Sequence, residues 1–212
     1  MAGSDYDFWL LDLDGTVVDI EQPYIHEVVQ EVGDRLGQGF SDREAELLWY
    51  GIGNAREELL ADGDIDPGRF WDVFHEVEEP RSRADATYVY DDAADFVPDL
   101  DTPVGVVTHC QEYLTGPVLE RLDIDDWFDT VVCCSDETGW KPDPTPVELA
   151  MADLGVGQHG HAGALVGDDP ADVEAAHNAG LDGVHVSRPS RNWAGERVLG
   201  ADRVADLTDL AD

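Results

Sequence analysis

Residues 8–19 read FWLLDLDGTVVD, and this stretch decides the fold of the chain. Four apolar residues lead directly into two carboxylates, Asp12 and Asp14, and Gly15 follows them. A short apolar run that ends at a glycine predicts a buried strand. Because side chains alternate along a strand, both carboxylates are expected on one side of its end, where they repel each other unless a cation or a proton lies between them. The same residues also fit a simple Asp-Gly turn, so the rest of the sequence has to decide between a functional site and a turn.

The composition describes a folded but very acidic protein. The 212 residues include 48 Asp and Glu against 12 Lys and Arg, which gives a formal net charge of -36. High net charge predicts disorder only where hydrophobicity is low, and here 42% of the residues are hydrophobic and six are tryptophan. We therefore expect a folded protein whose surface repulsion is screened by salt, as in a halophilic microbe, since the Debye length falls to about 3 Å at 1 M salt.

The same charge argues against polyanionic partners. Nucleic acid and anionic membrane surfaces would repel this chain. The sequence also has no apolar run of membrane-spanning length and no charged-then-apolar leader. We expect a soluble, cytoplasmic protein that is a monomer or a homodimer. Cys110, Cys133 and Cys134 have the spacing of neither a disulfide framework nor a zinc site.

Helical and strand-like patterns divide the chain into two parts. Residues 19–85 show helical periodicity and capping pairs such as Ser41 with Glu44, and they carry no strand signal. Beyond this segment, apolar strands alternate with helices, which predicts a parallel sheet covered on both faces. The expected fold class is α/β, with a Rossmann-like three-layer core of residues 1–18 and 86–212 and an inserted, all-helical cap.

Lysine is almost absent from the sequence. Of the 12 basic residues, eleven are arginines and one is Lys141, which stands between Trp140 and Pro142. A composition that has nearly eliminated lysine and retains this one indicates a specific need for a compact ammonium group at that position.

Polar side chains follow four of the expected strands. They are Asp12 with Asp14, then Thr108, then Lys141, and then Asp168 with Asp169 and Asp172. In a parallel sheet these ends share one edge, where open α/β sheets bind their ligands. If the two strands that end in aspartates are neighbours, their carboxylates converge into a site suited to a hard dication such as Mg²⁺. Asp168 and Asp169 also suit a helix N-cap, so one of them could cap while the other binds metal.

Four motifs in this order resemble those of the haloacid dehalogenase-like superfamily. They are Asp12-Leu13-Asp14-Gly15-Thr16, the strand ending in Thr108, Lys141-Pro142-Asp143-Pro144, and Gly167-Asp168-Asp169-x-x-Asp172. The resemblance spans residues 8–190. It implies a Mg²⁺-dependent phosphoric monoester hydrolase that acts on a small phosphorylated metabolite, of the phosphoglycolate or sugar-phosphate type, through an aspartyl-phosphate.

The resemblance also implies a role for each motif residue. Asp12 would be the nucleophile, and Asp14 would be the general acid/base. Thr108 would bind phosphoryl oxygens, with His109 beside it where relatives often carry Asn. Lys141 would neutralise charge between Asp12 and the phosphate, because a carboxylate approaches a phosphate dianion only when cations compensate both.

The implied metal ligands lie on three of these motifs. Asp168 would hold Mg²⁺ together with Asp12 and the backbone carbonyl of Asp14, and Asp172 would support that site. Asp169 stands where relatives commonly have Ser, so it adds either a metal ligand or only a helix cap.

The helical insertion resembles the cap of the phosphoglycolate phosphatase and β-phosphoglucomutase branch. Gly51-Ile52-Gly53, Asn54 and Arg56 resemble the loop of that cap which faces the substrate. Arg56 also fits a plain surface charge on a helix. The C-terminal segment, with Arg188, Arg191 and Arg197, carries no assigned chemistry.

Three other functions stay open at this point. A phosphosugar mutase of the β-phosphoglucomutase type would keep all four motifs. A phospho-acceptor signalling module also clusters aspartates, a threonine and a lysine on a parallel sheet, but it lacks an inserted cap. A non-catalytic binding descendant is the third. A haloacid dehalogenase is disfavoured because those enzymes lack the acid/base Asp14.

Overall fold

A computed structural model describes residues 6–51, 55–156, 160–188 and 202–211 of the chain. Ile52, Gly53 and Asn54 of the predicted cap loop lie outside the described residues, and so do Arg191 and Arg197 of the C-terminal segment.

The strands of the described residues form one large sheet and one small ribbon. They are β1 Phe8–Leu11, β2 Val18–Ile20, β3 Thr87–Val89, β4 Val104–Thr108, β5 Thr130–Cys133, β6 Gly163–Gly167, β7 Asp182–Val186 and β8 Asp202–Val204. Six of them make a parallel sheet in the order β5-β4-β1-β6-β7-β8, with β1 between β4 and β6. The predicted parallel sheet is therefore confirmed.

The helices alternate with these strands after the first third of the chain. They are α1 Gln22–Leu36, α2 Asp42–Tyr50, α3 Ala55–Asp62, α4 Pro67–Val77, α5 Pro80–Asp85, α6 Asp91–Phe96, α7 Glu112–Leu122, α8 Thr145–Asp153 and α9 Pro170–Ala179. None of the helices in the described ranges has the length and apolar character needed to cross a membrane.

Strand β1 shows why both faces of the sheet are covered. Trp9 and Leu11 pack into a core with residues of α6 and α7. Phe8 and Leu10 point to the opposite face and pack with residues of α8 and α9. Alternation along one fully apolar strand thus supplies two cores, which is the Rossmann-like, three-layer arrangement that the sequence predicted.

Helices α1 to α4 enclose a separate apolar core. Their buried residues include Val29 of α1, Leu48 of α2 and Phe70 of α4. The predicted capping box is present at the start of α2, where Ser41 and Glu44 exchange hydrogen bonds between side chain and backbone. Helical periodicity therefore identified a cap that is stabilised by its own hydrophobic cluster.

Two short strands join this cap to the sheet. β2 and β3 pair antiparallel, so the chain leaves the core and returns to it side by side. The expectation of no strand signal in residues 19–85 was wrong at this border, since β2 extends to Ile20. A three-residue strand is too short to show periodicity. Asp19 of β2 is buried and accepts hydrogen bonds from the hydroxyls of Tyr50 and Tyr90, which ties the cap to the ribbon.

Candidate active site

Three neighbouring strands deliver polar side chains to one edge of the sheet. Asp12 follows β1, Thr108 ends β4, and Asp168 follows β6. The backbone N–H of Asp12 donates to the carbonyl of Val166 at 2.8 Å, so the ladder between β1 and β6 continues up to the carboxylate. The strands that end in aspartates are therefore neighbours, as the metal hypothesis requires.

Lys141 lies at the centre of this edge. Its Nζ is 2.8 Å from Oδ1 of Asp12 and 2.6 Å from Oδ1 of Asp172, and it donates to the carbonyl of Val107 at 2.8 Å. The contacts with Asp12 and Val107 are hydrogen bonds, and the contact with Asp172 is an ion pair. Burial acts to lower the pKa of Lys141, but the carboxylates of Asp12 and Asp172 raise it above its ordinary value. The side chain is therefore a permanent cation.

Three buried carboxylates lie together at this edge, and two of them, Asp12 and Asp172, contact the ammonium group. Asp12, Asp168 and Asp172 each offer one oxygen, and these oxygens lie within 4.8 Å of one another. Burial, followed by the charge of Asp12, raises the pKa of Asp172 well above its usual range although Lys141 opposes this. Three carboxylates against one ammonium leave negative charge that a dication would compensate. The all-oxygen donor set fits Mg²⁺.

Asp14 and Asp169 lie beside this group rather than within it. Oδ1 of Asp169 accepts a hydrogen bond from the backbone N–H of Ala171 at 2.8 Å, so Asp169 caps helix α9. Oδ2 of Asp172 accepts in turn from the N–H of Asp169 at 3.0 Å, which completes a capping box. Of the two roles left open for Asp169, the structure places its side chain in the cap.

Two glycines make this packing possible. A Cβ on Gly167 would lie 2.0 Å from Oδ2 of Asp172, so only glycine lets the carboxylate approach the end of β6. Gly15 has φ 90, a left-handed conformation in which a side chain is strained, and it turns the chain away directly after Asp14.

The residues after β4 form a polar but uncharged wall. Oγ1 of the buried Thr108 accepts a hydrogen bond from the N–H of Cys110 at 3.0 Å. Burial, together with the charge of Lys141, lowers the pKa of His109 to about 4, so its ring is neutral at pH 7. Burial, followed by the charge of Asp14, raises the pKa of Cys110 to about 12, which makes it an unreactive thiol.

A cavity of about 530 Å³ separates this edge from the cap. The cap contributes mainly aromatic side chains to its lining: Trp49, Tyr50, Trp71 and Phe74. Arg56 also lines the cavity. Its Nε donates to the carbonyl of Leu48 at 2.8 Å and its Nη2 donates to the carbonyl of Trp49. The structure therefore brings the predicted cap arginine to the cavity that the catalytic edge faces.

Sequence reasoning missed two buried charged residues of this cavity. Arg83 of α5 is 3% exposed, and its Nη2 lies 2.7 Å from Oδ1 of Asp14. Glu78, directly after α4, is also buried, and burial raises its pKa to about 7, although the charge of Arg83 acts to lower it. No motif marks either residue. Their position where the cap returns to the core was the one available signal.

Residues 9–186 match the family described as haloacid dehalogenase-like hydrolase. The chain belongs to this family. The predicted family and fold are confirmed.

Relatives and solved structures agree with this placement. Phosphoglycolate phosphatase of Chromobacterium violaceum is 30% identical over 216 positions, which cover 94% of this chain and 93% of that protein. A putative phosphoglycolate phosphatase from Lactobacillus plantarum has the same fold, with a TM-score of 0.77 at 21% identity and 98% of each chain covered. CbbY from Rhodobacter sphaeroides, solved in complex with xylulose-(1,5)bisphosphate, has a TM-score of 0.72 at 21% identity and 97% and 96% coverage. The prediction of a phosphatase of this family is confirmed.

Proposed function

We propose that the enzyme hydrolyses a small phosphorylated metabolite, of the phosphoglycolate or sugar-phosphate type, with Mg²⁺ and through an aspartyl-phosphate on Asp12. One observation carries this proposal. The carboxylate of Asp12 lies 2.8 Å from the buried ammonium group of Lys141, at the edge of the sheet where Asp168 and Asp172 complete a cluster of oxygens. A nucleophile of this kind needs compensating cations on both sides, and the arrangement supports that requirement.

The first step transfers the phosphoryl group to the enzyme. A carboxylate oxygen of Asp12 forms a bond to phosphorus while the bond from phosphorus to the ester oxygen breaks. The protonated carboxyl group of Asp14 gives its proton to the leaving oxygen, so an alcohol departs and Asp14 becomes a carboxylate. Thr108 and Lys141 bind the phosphoryl oxygens, and Lys141 keeps Asp12 oriented and charged.

The second step returns the enzyme to its starting state. The carboxylate of Asp14 takes a proton from water, the water oxygen bonds to phosphorus, and the bond between phosphorus and Asp12 breaks. Inorganic phosphate leaves, Asp12 is again a carboxylate, and Asp14 is again protonated. Asp12, Asp168, Asp172 and the carbonyl of Asp14 would hold the metal. When bound, Mg²⁺ would draw charge from the phosphoryl oxygens and reduce their repulsion with the carboxylates.

The relatives and the cavity support the proposed substrate class. Phosphoglycolate phosphatase of Chromobacterium violaceum and N-acetylmuramic acid 6-phosphate phosphatase of Pseudomonas aeruginosa, the latter 28% identical over 51% of this chain, act on small phosphate esters according to their names. A cavity of about 530 Å³ with an aromatic cap side accommodates a leaving group as large as a sugar. His109 and Arg56 are the proposed substrate-binding residues on its two sides.

Phosphate release from a substrate panel tests this proposal. We expect Mg²⁺-dependent release from phosphoglycolate or from a sugar phosphate, and loss of at least about 1,000-fold of that activity in Asp12→Asn, because an amide is not a nucleophile here. Asp123→Asn is the matched control, since Asp123 is exposed and its left-handed backbone (φ 57) suits asparagine. Near-normal turnover by Asp12→Asn would contradict the assignment, and isomerisation without phosphate release would identify a mutase.

We further propose that the enzyme works in a salt-rich cytoplasm. At a formal net charge of -36, long-range repulsion opposes both the folded state and the approach of an anionic substrate. Raising KCl from about 0.1 M to about 3 M should therefore increase both the folded fraction and kcat/KM. Circular dichroism and initial rates over this range measure the two effects. Maximal stability and activity in dilute buffer would contradict the proposal.

A further inference from the structure

A buried arginine links the cap to the proposed acid/base. Arg83 lies in α5, between the last long cap helix and the strand that returns to the core. Its Nη2 is 2.7 Å from Oδ1 of Asp14, and its Nη1 is 3.7 Å from Oε1 of Glu78. The guanidinium carbon lies 5.1 Å from the ring centre of Trp49. One cation thus contacts a core carboxylate, a cap carboxylate and a cap aromatic ring.

Stability alone does not account for this arrangement. Burying an arginine beside a carboxylate carries a desolvation cost, and well-packed apolar residues at such positions are often equally stable or more stable. What the arginine adds is orientation, because its planar guanidinium donates in fixed directions and cannot lose its charge. The flanking Trp49 ring limits the rotation of that plane. The pair is therefore suited to fix the plane of the Asp14 carboxyl group.

We propose that Arg83 is a positioning residue, which holds one oxygen of Asp14 so that the other exchanges a proton with the ester oxygen of the substrate. This inference rests on the proposed phosphatase mechanism. In the first step Asp14 protonates the departing oxygen while the bond from phosphorus to that oxygen breaks and the bond to Asp12 forms. Arg83 lines the same cavity, and in this proposal it affects the proton transfer through its contact with Asp14.

The inference predicts a dependence on the leaving group. An alkyl phosphate expels a strongly basic alkoxide, which needs the proton from Asp14 as it departs. In contrast, 4-nitrophenyl phosphate expels a weakly basic phenolate that departs without help. The ratio of kcat/KM values for the two esters therefore reports how well Asp14 is positioned. A purely structural role for Arg83 would lower both values together and leave the ratio unchanged.

The experiment compares variants of two arginines in the same short helix. We expect Arg83→Met to lower kcat/KM about 100-fold for the best alkyl phosphate of the panel and less than about 5-fold for 4-nitrophenyl phosphate, with saturating Mg²⁺ and concentrated salt. Arg83→Lys keeps the charge but not the planar group, so its alkyl loss should lie in between. Arg81→Met is the control, because Arg81 is exposed and should leave both values unchanged.

Arg83→Lys and Glu78→Gln keep the test decisive if Arg83→Met does not fold. Arg83→Lys should still lower the alkyl-to-aryl ratio, whereas Glu78→Gln retains the contact between Arg83 and Asp14 and should keep the wild-type ratio. Equal losses for both esters in either Arg83 variant would overturn the positioning role. A wild-type enzyme that hydrolyses neither ester would instead refute the proposed function on which the inference rests.

Discussion

The two walls of the cavity each hold a buried cation between two carboxylates, and the two arrangements differ. On the core wall, Lys141 lies 2.8 Å from Asp12 and 2.6 Å from Asp172. On the cap side, Arg83 lies 2.7 Å from Asp14 but 3.7 Å from Glu78. The core cation is held tightly by both partners, while the second contact of the cap cation exceeds hydrogen-bond distance.

This difference indicates that both contacts of Lys141 are fixed, whereas Arg83 is held firmly by Asp14 and only loosely by Glu78. The core triad consists of Lys141, Asp12 and Asp172. Asp12 directly follows β1, Lys141 lies in the loop after β5, and Asp172 lies in the first turn of α9. The cap triad consists of Arg83, Asp14 and Glu78, and it joins the proposed acid/base Asp14 to the end of a cap helix. Glu78 has a pKa of about 7 because burial raises it more than the weak pairing with Arg83 lowers it. We infer that the chemistry depends on the core triad, and that the position of the cap affects Asp14 through the cap triad.

Removing the core cation should produce the largest effect. Lys141→Met leaves Asp12 and Asp172 buried without their ammonium partner. We expect kcat to fall at least about 1,000-fold and the free energy of unfolding, measured by urea denaturation in EDTA, to fall by about 3–5 kcal/mol. Mg²⁺ should recover part of the stability and little of the activity, because a dication replaces the charge but not the donor to the phosphoryl group.

Lys141→Arg is the matched variant for this prediction. It keeps the charge, but a planar guanidinium cannot direct three donors at the partners that Nζ contacts. We expect most of the stability to remain while kcat falls about 100-fold. If Lys141→Met retained a tenth of wild-type activity, the core triad would not be the catalytic centre.

Neutralising the cap carboxylate should produce a smaller, pH-dependent effect on stability. Glu78 faces Arg83 of α5, Tyr24 of α1 and Asp14 of the core, and its pKa rises from 4.5 to about 7 on folding. Between these values the folded state holds a proton that the unfolded state has released. Lowering the pH from 8 to 5 therefore stabilises the wild type at this site, and Glu78→Gln removes that gain.

The size of this effect follows from the shift in pKa. Glu78→Gln should be more stable than the wild type at pH 8 by up to about 3 kcal/mol, and the difference should fall to about 1 kcal/mol or less at pH 5 and vanish below the unfolded-state pKa of 4.5. Urea denaturation at constant salt measures it. Glu76→Gln, at an exposed position of α4 two residues before Glu78, should show no such pH dependence. An equal difference in the free energy of unfolding between the wild type and Glu78→Gln at pH 8 and at pH 5 would mean that folding does not raise the pKa of Glu78.

The same contrast between the walls explains what the sequence could predict. Four predicted site residues lie at the ends of apolar strands or in a loop beyond one: Asp12, Thr108, Lys141 and Asp168. A parallel sheet brings its strand ends to one edge, so these residues come together independently of the loop conformations. The nearly complete loss of lysine made Lys141 conspicuous. The paired strands β1 and β6 then brought the aspartate groups together as expected.

The cap wall was harder to predict because its contacts depend on packing between separate helices. Helical periodicity located the buried faces, but it does not tell which end of a helix faces the core. No motif distinguishes Arg83 or Glu78 from the many other charged residues of the chain. Trp49 and Trp71 were not among the predicted site residues, although both line the cavity. Three-residue strands such as β2 and β3 carry too few side chains to be recognised.

The central claim is that Asp12 carries the phosphoryl group and Asp14 moves the proton. Asp14→Asn should still be phosphorylated by 4-nitrophenyl phosphate, whose leaving group needs no proton, but it should release phosphate slowly because water is not activated. Acid quenching followed by intact-protein mass spectrometry should then show an adduct of about 80 Da that fragmentation places on Asp12. An adduct on another residue, or continued turnover with no adduct at any time point, would contradict the account.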